Sequence, residues 1–264
     1  MKVTEARART ALSQSRLPGL DYALNPYRGC GHGCLYCYSP DILRLAGSEP
    51  WGSFVEARKN LPVLLATERK RCSGVIGLGT VTDPYQPAEA KTRLTRYCLE
   101  QLAMATCPVC IQTKSDLVLR DLDILLRMRK PEVGMTVTTL NRELAAALEP
   151  GAPPPARRVA ALGELAAAGI RTWLFLGPVI PGMNDGSESL AAAVRAAKES
   201  GCEKVMYDRL RLKPLLRERM AKALGHSLAK DIFIRAGDRE WQERVSVEIE
   251  VLCDDAKIRS ERAF

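Results

Sequence analysis

Apolar and polar positions follow two periods along this chain, and the two take turns. Short apolar or β-branched runs lie at residues 73–79 (SGVIGLG), 108–113 (PVCIQT), 133–139 (VGMTVTT), 170–176 (IRTWLFL) and 203–207 (EKVMY). Each has the length and composition of a buried strand. Helical spacing fills the gaps. Residues 88–105 place Ala90, Leu94, Tyr97, Cys98 and Leu102 on one face, and residues 116–129 do the same with Leu119, Leu122, Leu125, Leu126 and Met128. A short helix is expected at 142–148. Longer ones are expected at 156–168 with Gly169 as cap, at 187–200 closed by Gly201, and at 212–224. The prolines of 149–155 read as the entry to the 156–168 helix, since proline is tolerated in a first helical turn. One further strand near 21–24 brings the count to six.

Strands that alternate with helices imply a parallel sheet with right-handed crossovers. Six such units can lie flat as a doubly wound sheet or close into an incomplete barrel. No G-x-G-x-x-G run follows the first strand, so dinucleotide binding of the Rossmann kind is not supported. In a parallel barrel, the loops after the strands carry the site. The loop after the first strand is the one rich in cysteine.

That loop reads Asn25-Pro-Tyr-Arg-Gly-Cys30-Gly-His-Gly-Cys34-Leu-Tyr-Cys37-Tyr38. Its spacing is C-x3-C-x2-C. An iron–sulfur cube that only passes electrons takes four protein ligands, and three leave one iron open. An open metal position marks a site that does chemistry on a ligand. The competing reading is a non-enzymatic iron–sulfur or zinc module, with a fourth cysteine such as Cys72 supplied from elsewhere.

Composition narrows the class. The chain has 264 residues, of which 46% are hydrophobic and 27% charged, enough for one sizeable core. No run approaches about 18 apolar residues, so no membrane span is expected. Residues 1–16 are charged and polar without an apolar h-region, so no secretory signal is expected. Nine cysteines then point to reduced thiols in a cytoplasm. Two histidines argue against a hydrolase triad or a histidine-ligated zinc. The net charge of +8 admits a polyanionic partner such as nucleic acid. The densest basic run, residues 209–222, has no aromatics interleaved for base stacking.

The longer motifs resemble the radical S-adenosylmethionine superfamily, in its branch of spore photoproduct lyase-like (DNA repair photolyase-like) proteins. The matching pieces are residues 25–38, Thr80-Val-Thr82-Asp83-Pro-Tyr-Gln-Pro87, Thr113-Lys114-Ser115, Thr136-Val-Thr-Thr-Leu140, Leu148-Glu-Pro-Gly151 and Pro178-Val-Ile-Pro-Gly-Met-Asn184. They run in order over residues 20–190. The resemblance implies an α/β fold, an incomplete (β/α)6 TIM-like barrel. It implies one domain over residues 1–264, with the barrel at about 20–210 and a basic C-terminal extension at about 211–264.

It also implies the chemistry. Cys30, Cys34 and Cys37 would hold three irons of a [4Fe–4S] cluster, and the fourth would take the amino and carboxylate groups of S-adenosylmethionine. A low-potential electron, from a donor of flavodoxin or ferredoxin type, would then yield a 5′-deoxyadenosyl radical that abstracts hydrogen from substrate. By position, Tyr38 and Lys114 fall to catalytic roles. Tyr36, Tyr38, Thr82, Asp83, Lys114 and Thr136 fall to cofactor binding. Lys114, at a strand end, is placed to pair with a carboxylate.

One departure matters. The lyase has a cysteine shortly before its counterpart of Asp83, to return a hydrogen atom to thymine. Here that place is Thr80, and a hydroxyl is a poor hydrogen-atom donor. The cofactor chemistry carries over, and the repair reaction does not. Radical modification of RNA or protein is the second enzymatic reading. Among other residues, Cys107 and Cys110 read as core packing before a buried strand. Residues 83–87 read either as a rigid proline turn at a strand end or as placing Tyr85 and Gln86 in the cavity against substrate. His32 reads either as a hydrogen-bonding neighbour of the cluster or as a loop residue without a role, and residues 257–262 as a solvated, mobile end.

Overall fold

The protein's computed structural model describes residues 1–47 and 49–263. Its strands are β1 (Lys2–Ala6), β2 (Ser13–Gln14), β3 (Tyr22–Leu24), β4 (Tyr27–Arg28), β5 (Phe54–Arg58), β6 (Ile76–Leu78), β7 (Val109–Thr113), β8 (Glu132–Thr136), β9 (Arg171–Val179), β10 (Lys204–Arg209) and β11 (Arg259–Arg262). Its helices are α1 (Ser39–Ile42), α2 (Leu61–Glu68), α3 (Glu89–Thr92), α4 (Leu94–Leu102), α5 (Leu122–Leu125), α6 (Arg142–Leu148), α7 (Pro155–Ala167), α8 (Ser187–Glu199), α9 (Pro214–Leu224), α10 (His226–Gly237) and α11 (Arg239–Asp255).

The main sheet runs β11-β10-β9-β8-β7-β6-β3-β2, and every neighbouring pair except β2–β3 is parallel. The six strands expected from periodicity are β3 and β6 to β10. Among the described residues the edges β2 and β11 do not pair, so the barrel stays open, as the incomplete (β/α)6 reading requires. A separate small sheet, β1-β5-β4, backs the first loop.

Period-2 alternation sorts each strand's side chains. On β7, Val109 and Ile111 face outward into a core shared with Leu99 and Leu102 of α4. Cys110 and Gln112 face inward and line the central cavity. Around β9 and β10, Leu174, Leu176 and Val205 pack against Leu162 of α7, Val194 of α8 and Ile249 of α11. Each such leucine is fully buried, and its truncation to alanine costs about 2–5 kcal/mol. A third cluster packs the cysteine loop against Leu216 and Met220 of α9 and Ile232 of α10.

Three local expectations are corrected. The helix expected over 88–105 breaks at Arg93, whose φ is 52°. The buried Glu89 carboxylate turns back to accept the N–H groups of Thr95 (2.8 Å) and Arg96 (3.3 Å), and so caps α4 as a separate helix. Residues 116–121 form a 3₁₀ segment and only one turn, α5, is α-helical. There the buried Asp121 binds the guanidinium groups of Arg96 and Arg120. Finally, residues 257–262 are no mobile tail. They include β11, which pairs in parallel with β10 and is tied on by the Ala263 N–H to the Tyr207 carbonyl (2.9 Å) and by Lys204–Glu261 (2.6 Å). The charged run hides a strand because an edge strand is held by backbone pairing and needs no apolar face.

Candidate active site

The cysteine loop leaves the C-terminal end of β3 and is fixed from several sides. Asn25 donates to Thr80 Oγ1 (2.9 Å) and accepts the Val81 N–H (3.1 Å). Gln86 is fully buried, accepting the Gly31 N–H (2.8 Å) and donating to the Gly29 carbonyl (3.1 Å). The segment after α6 closes the far side, where the Gly151 N–H donates to the His32 carbonyl (2.9 Å) and the Leu35 N–H to the Leu148 carbonyl (2.8 Å). A Cβ on Gly151 would lie 2.2 Å from the Gly31 carbonyl oxygen, so only glycine permits that approach.

Cys30, Cys34 and Cys37 carry free thiols and line one end of a cavity of about 360 Å³. Tyr36, Tyr38, Thr82, Asp83, Lys114 and Thr136 line the same cavity, so all nine residues singled out in the sequence meet there. Burial pushes the Cys34 thiol well above its usual pKa, and Lys114 opposes that shift. The Lys114 ammonium lies 5.6 Å from the centre of the Tyr36 ring. Among the described residues it has no hydrogen-bond or ion-pair partner. Burial works against its charge, but Cys34 and Glu149 outweigh that, and its pKa is raised.

Other groups are already engaged within the protein. Asp83 accepts the Thr113 hydroxyl (2.6 Å) and the Tyr85 N–H (2.8 Å) on one oxygen, and the Lys114 N–H (2.7 Å) on the other. His32 Nδ1 stands 3.3 Å from Asp83. Burial raises the Asp83 pKa, but His32 and these donors bring it down to about 2. Burial lowers that of His32, while Asp83 and Cys30 lift it to about 9. Thr82 donates to the Tyr27 carbonyl (3.0 Å), and Thr136 accepts from Gln112 (3.3 Å).

A second layer was not singled out in the sequence. Glu149 and Arg158 form a 2.5 Å ion pair, each 1% exposed. The Tyr36 hydroxyl donates to Glu149, and Thr138 Oγ1 lies 2.8 Å from the same oxygen. The Leu148–Gly151 motif was the available signal, but its arginine partner lies nine residues on, in α7. Cys110 also lines the cavity, against the core-packing expectation, because it faces inward on β7. Cys107 does pack in the core and donates to the Cys72 carbonyl (2.9 Å), away from the cavity. Tyr85 and Gln86 do not face the cavity. Tyr85 sits in the core beneath Arg120, and Gln86 is spent on loop carbonyl and amide groups.

The donor set fits an iron–sulfur cube. Among the described residues, no three His, Cys, Asp or Glu groups converge as one metal ion requires. A cube asks for something else, one thiolate on each of three separate irons, and Cys30, Cys34 and Cys37 line one cavity.

The model of the radical SAM superfamily matches residues 24–194. The chain belongs to that superfamily. Radical SAM enzymes use a [4Fe–4S] cluster and S-adenosylmethionine. An uncharacterized protein of Methanocaldococcus jannaschii is 34% identical over 185 residues, 70% of each chain. An uncharacterized protein of Mycobacterium tuberculosis is 32% identical over 178 residues, 64% of this chain and 52% of its own. This chain therefore spans about half the length of that relative. Among solved structures, spore photoproduct lyase complexed with dinucleoside spore photoproduct superposes with a TM-score of 0.76 at 16% identity, over 99% of this chain and 82% of the other. Streptococcus suis SuiB bound to S-adenosylmethionine gives 0.56 at 10% identity, over 91% and 49%. These likenesses establish the partial-barrel fold. Among the described residues, no helix is long and apolar enough to cross a membrane.

Proposed function

We propose that this radical SAM enzyme abstracts a hydrogen atom from a substrate held inside the open barrel, and that Cys30, Cys34 and Cys37 hold its cluster. The observation that carries the reading is that three thiols line one cavity with the Lys114 ammonium, which among the described residues has no hydrogen-bond or ion-pair partner. When bound, the cofactors supply reductive cleavage of a sulfonium C–S bond and the hydrogen abstraction that follows.

The protein's own groups do the placing. Lys114 pairs with the carboxylate of S-adenosylmethionine, since among the described residues its ammonium has no hydrogen-bond or ion-pair partner. Tyr36 and Tyr38 wall the site. Thr136 stands at the cavity edge of β8. Asp83 and Thr82 have their oxygens engaged and act by position: Asp83 fixes the Lys114 backbone and His32, and Thr82 fixes the loop at Tyr27. The inward-facing Trp173, Phe175 and Met206 add apolar surface to a cavity that Glu132, Lys204 and Glu261 also line. An external low-potential donor supplies the electron.

The reaction is assigned as hydrogen abstraction and not as repair of spore DNA. Thr80 stands where the resemblance calls for a thiol, and its hydroxyl accepts a hydrogen bond from Asn25. A nucleic acid substrate is a second reading, supported by the net charge of +8 and by Arg209 among the residues lining the cavity. The basic run adds less to it than its sequence suggests, because Arg211 pairs with Asp208 (2.7 Å) and Arg219 turns inward. Phosphate contacts would show as a steep salt dependence of binding.

The test is anaerobic. The protein is reconstituted with iron and sulfide, reduced with dithionite and given S-adenosylmethionine, and 5′-deoxyadenosine is measured by mass spectrometry. Product from the native protein and none from Cys34→Ala supports the reading. Equal product from both, or no cluster in either, contradicts it.

A further inference from the structure

The C-terminal helices α9 and α10 pack against the cysteine loop, and none of their residues is among those lining the cavity. Arg219 of α9 donates through Nε to the Leu35 carbonyl (3.0 Å) and through Nη2 to the Cys37 carbonyl. Asp41, just past the loop, accepts the Leu215 N–H (3.0 Å) and the Leu216 N–H (3.3 Å) at the start of α9. Loop and helix thus exchange hydrogen bonds both ways, over an apolar contact of Cys34 and Tyr36 with Leu216 and Met220.

Buried loop carbonyls need donors, and a neutral side chain could supply them. The donor here is a guanidinium, which stays charged in proteins and forks to reach two acceptors. Burial works against that charge, and Cys37, Asp41 and Cys34 favour it. The cation therefore lies within the field of two of the three thiols. One-electron reduction adds a negative charge to a cluster at this loop, and a fixed positive charge beside it favours the reduced form.

We propose that Arg219 is a positioning residue of the cluster site, holding the Cys34–Cys37 turn by its carbonyls and raising the cluster's reduction potential by its charge. The inference rests on the cluster reading of the proposed function. It goes beyond the cysteine motif, because it makes a helix outside the matched residues 24–194 part of the metal site.

The experiment compares wild type, Arg219→Gln, Arg219→Lys and Lys222→Gln after anaerobic reconstitution. It reads iron per chain and the midpoint potential by EPR-monitored redox titration. Glutamine keeps a donor without the charge, lysine keeps the charge, and Lys222 is an exposed cation on the same helix. At a fixed solution potential, Arg219→Gln is expected to lower the reduced-to-oxidised ratio about tenfold, a shift of ~59 mV for one electron. Arg219→Lys stays near wild type, and so does Lys222→Gln, whose charge is screened by solvent. Loss of iron in Arg219→Gln with retention in Arg219→Lys supports the same conclusion. A lysine variant that behaves as the glutamine variant does, or a glutamine variant that matches wild type, overturns it. Failure of the wild-type protein to take up a cluster is a different result, which overturns the cluster reading itself.

Discussion

Replacing Arg158 by methionine should destabilise the protein severely before any cofactor is involved. Arg158 is 1% exposed, among the largest fully buried side chains. Its guanidinium pairs with Glu149 at 2.5 Å and donates to the carbonyls of Thr136 (3.1 Å) and Pro153 (2.8 Å). Methionine fills much of the volume but leaves the Glu149 carboxylate buried without its cation. Breaking a buried pair in this way costs about 3–5 kcal/mol. At this chain length that lowers Tm by roughly 6–20 °C. The loss should also depend on pH. In the native protein, burial raises the Glu149 pKa but Arg158 and Lys114 more than offset it, leaving it below its usual value. A depressed carboxyl stabilises the fold above its unfolded pKa, and that contribution is lost as pH falls. Without Arg158 burial prevails, the sign reverses, and the penalty grows as pH rises from 4 to 7. Urea unfolding of the apo protein, followed by circular dichroism, reads both effects. The pair Arg158→Met with Glu149→Gln removes the stranded charge and should recover more than half of the loss. A single-variant loss below about 1 kcal/mol, or a double variant no better than the single, would refute the reasoning.

Three further outcomes are expected. Lys114→Met should weaken S-adenosylmethionine binding to the reconstituted protein about 10- to 100-fold by calorimetry, the worth of one charged hydrogen bond; an unchanged Kd removes Lys114 from the site. In the apo protein, Asp83 at about 2 contributes stability above pH ~4 that is lost on acidification, and His32 at about 9 contributes stability below pH ~6.5 that is lost as pH rises toward 9. Asp83→Asn should therefore cost most between pH 4 and 6.5, and a loss uniform in pH would contradict the pairing. In Gly134→Ala, the new Cβ would lie 2.1 Å from the Trp173 indole. Overpacking there should cost about 1–3 kcal/mol in urea unfolding and shift tryptophan emission as the ring moves; an unchanged spectrum with native stability would show that the indole is not seated over Gly134.

The sequence disclosed what is periodic or closely spaced. Six parallel strands were legible because each carries an apolar run bounded by turn residues. The three cysteines were legible because one loop holds them all. Other features depend on contacts between distant segments, which periodicity does not report. The ion pair of Glu149 and Arg158 joins the end of α6 to α7, and single-chain spacing gives no reason to couple them. Arg219 lies in a basic run that reads as a solvated or polyanion-binding face, yet it turns inward to the cysteine loop. Strand β11 has no apolar face to betray it. Tyr85 and Gln86 follow the motif aspartate but face away from the cavity, since the turn at Pro84 and Pro87 directs them to the core and to the loop backbone. Thr82 and Asp83 line the cavity, but their oxygens are used to hold other parts of the site.

The central claim is that three thiolates, and no fourth, hold the cluster. It is tested most directly by iron content and EPR of reconstituted single variants, with and without S-adenosylmethionine. Alanine at Cys30, Cys34 or Cys37 should abolish or damage the cluster. Alanine at Cys72, Cys107 or Cys110 should leave about four irons per chain, and S-adenosylmethionine should alter the EPR signal of the reduced protein through the open iron. A cluster that also needs any of the other three cysteines, or a signal indifferent to S-adenosylmethionine, would contradict the account.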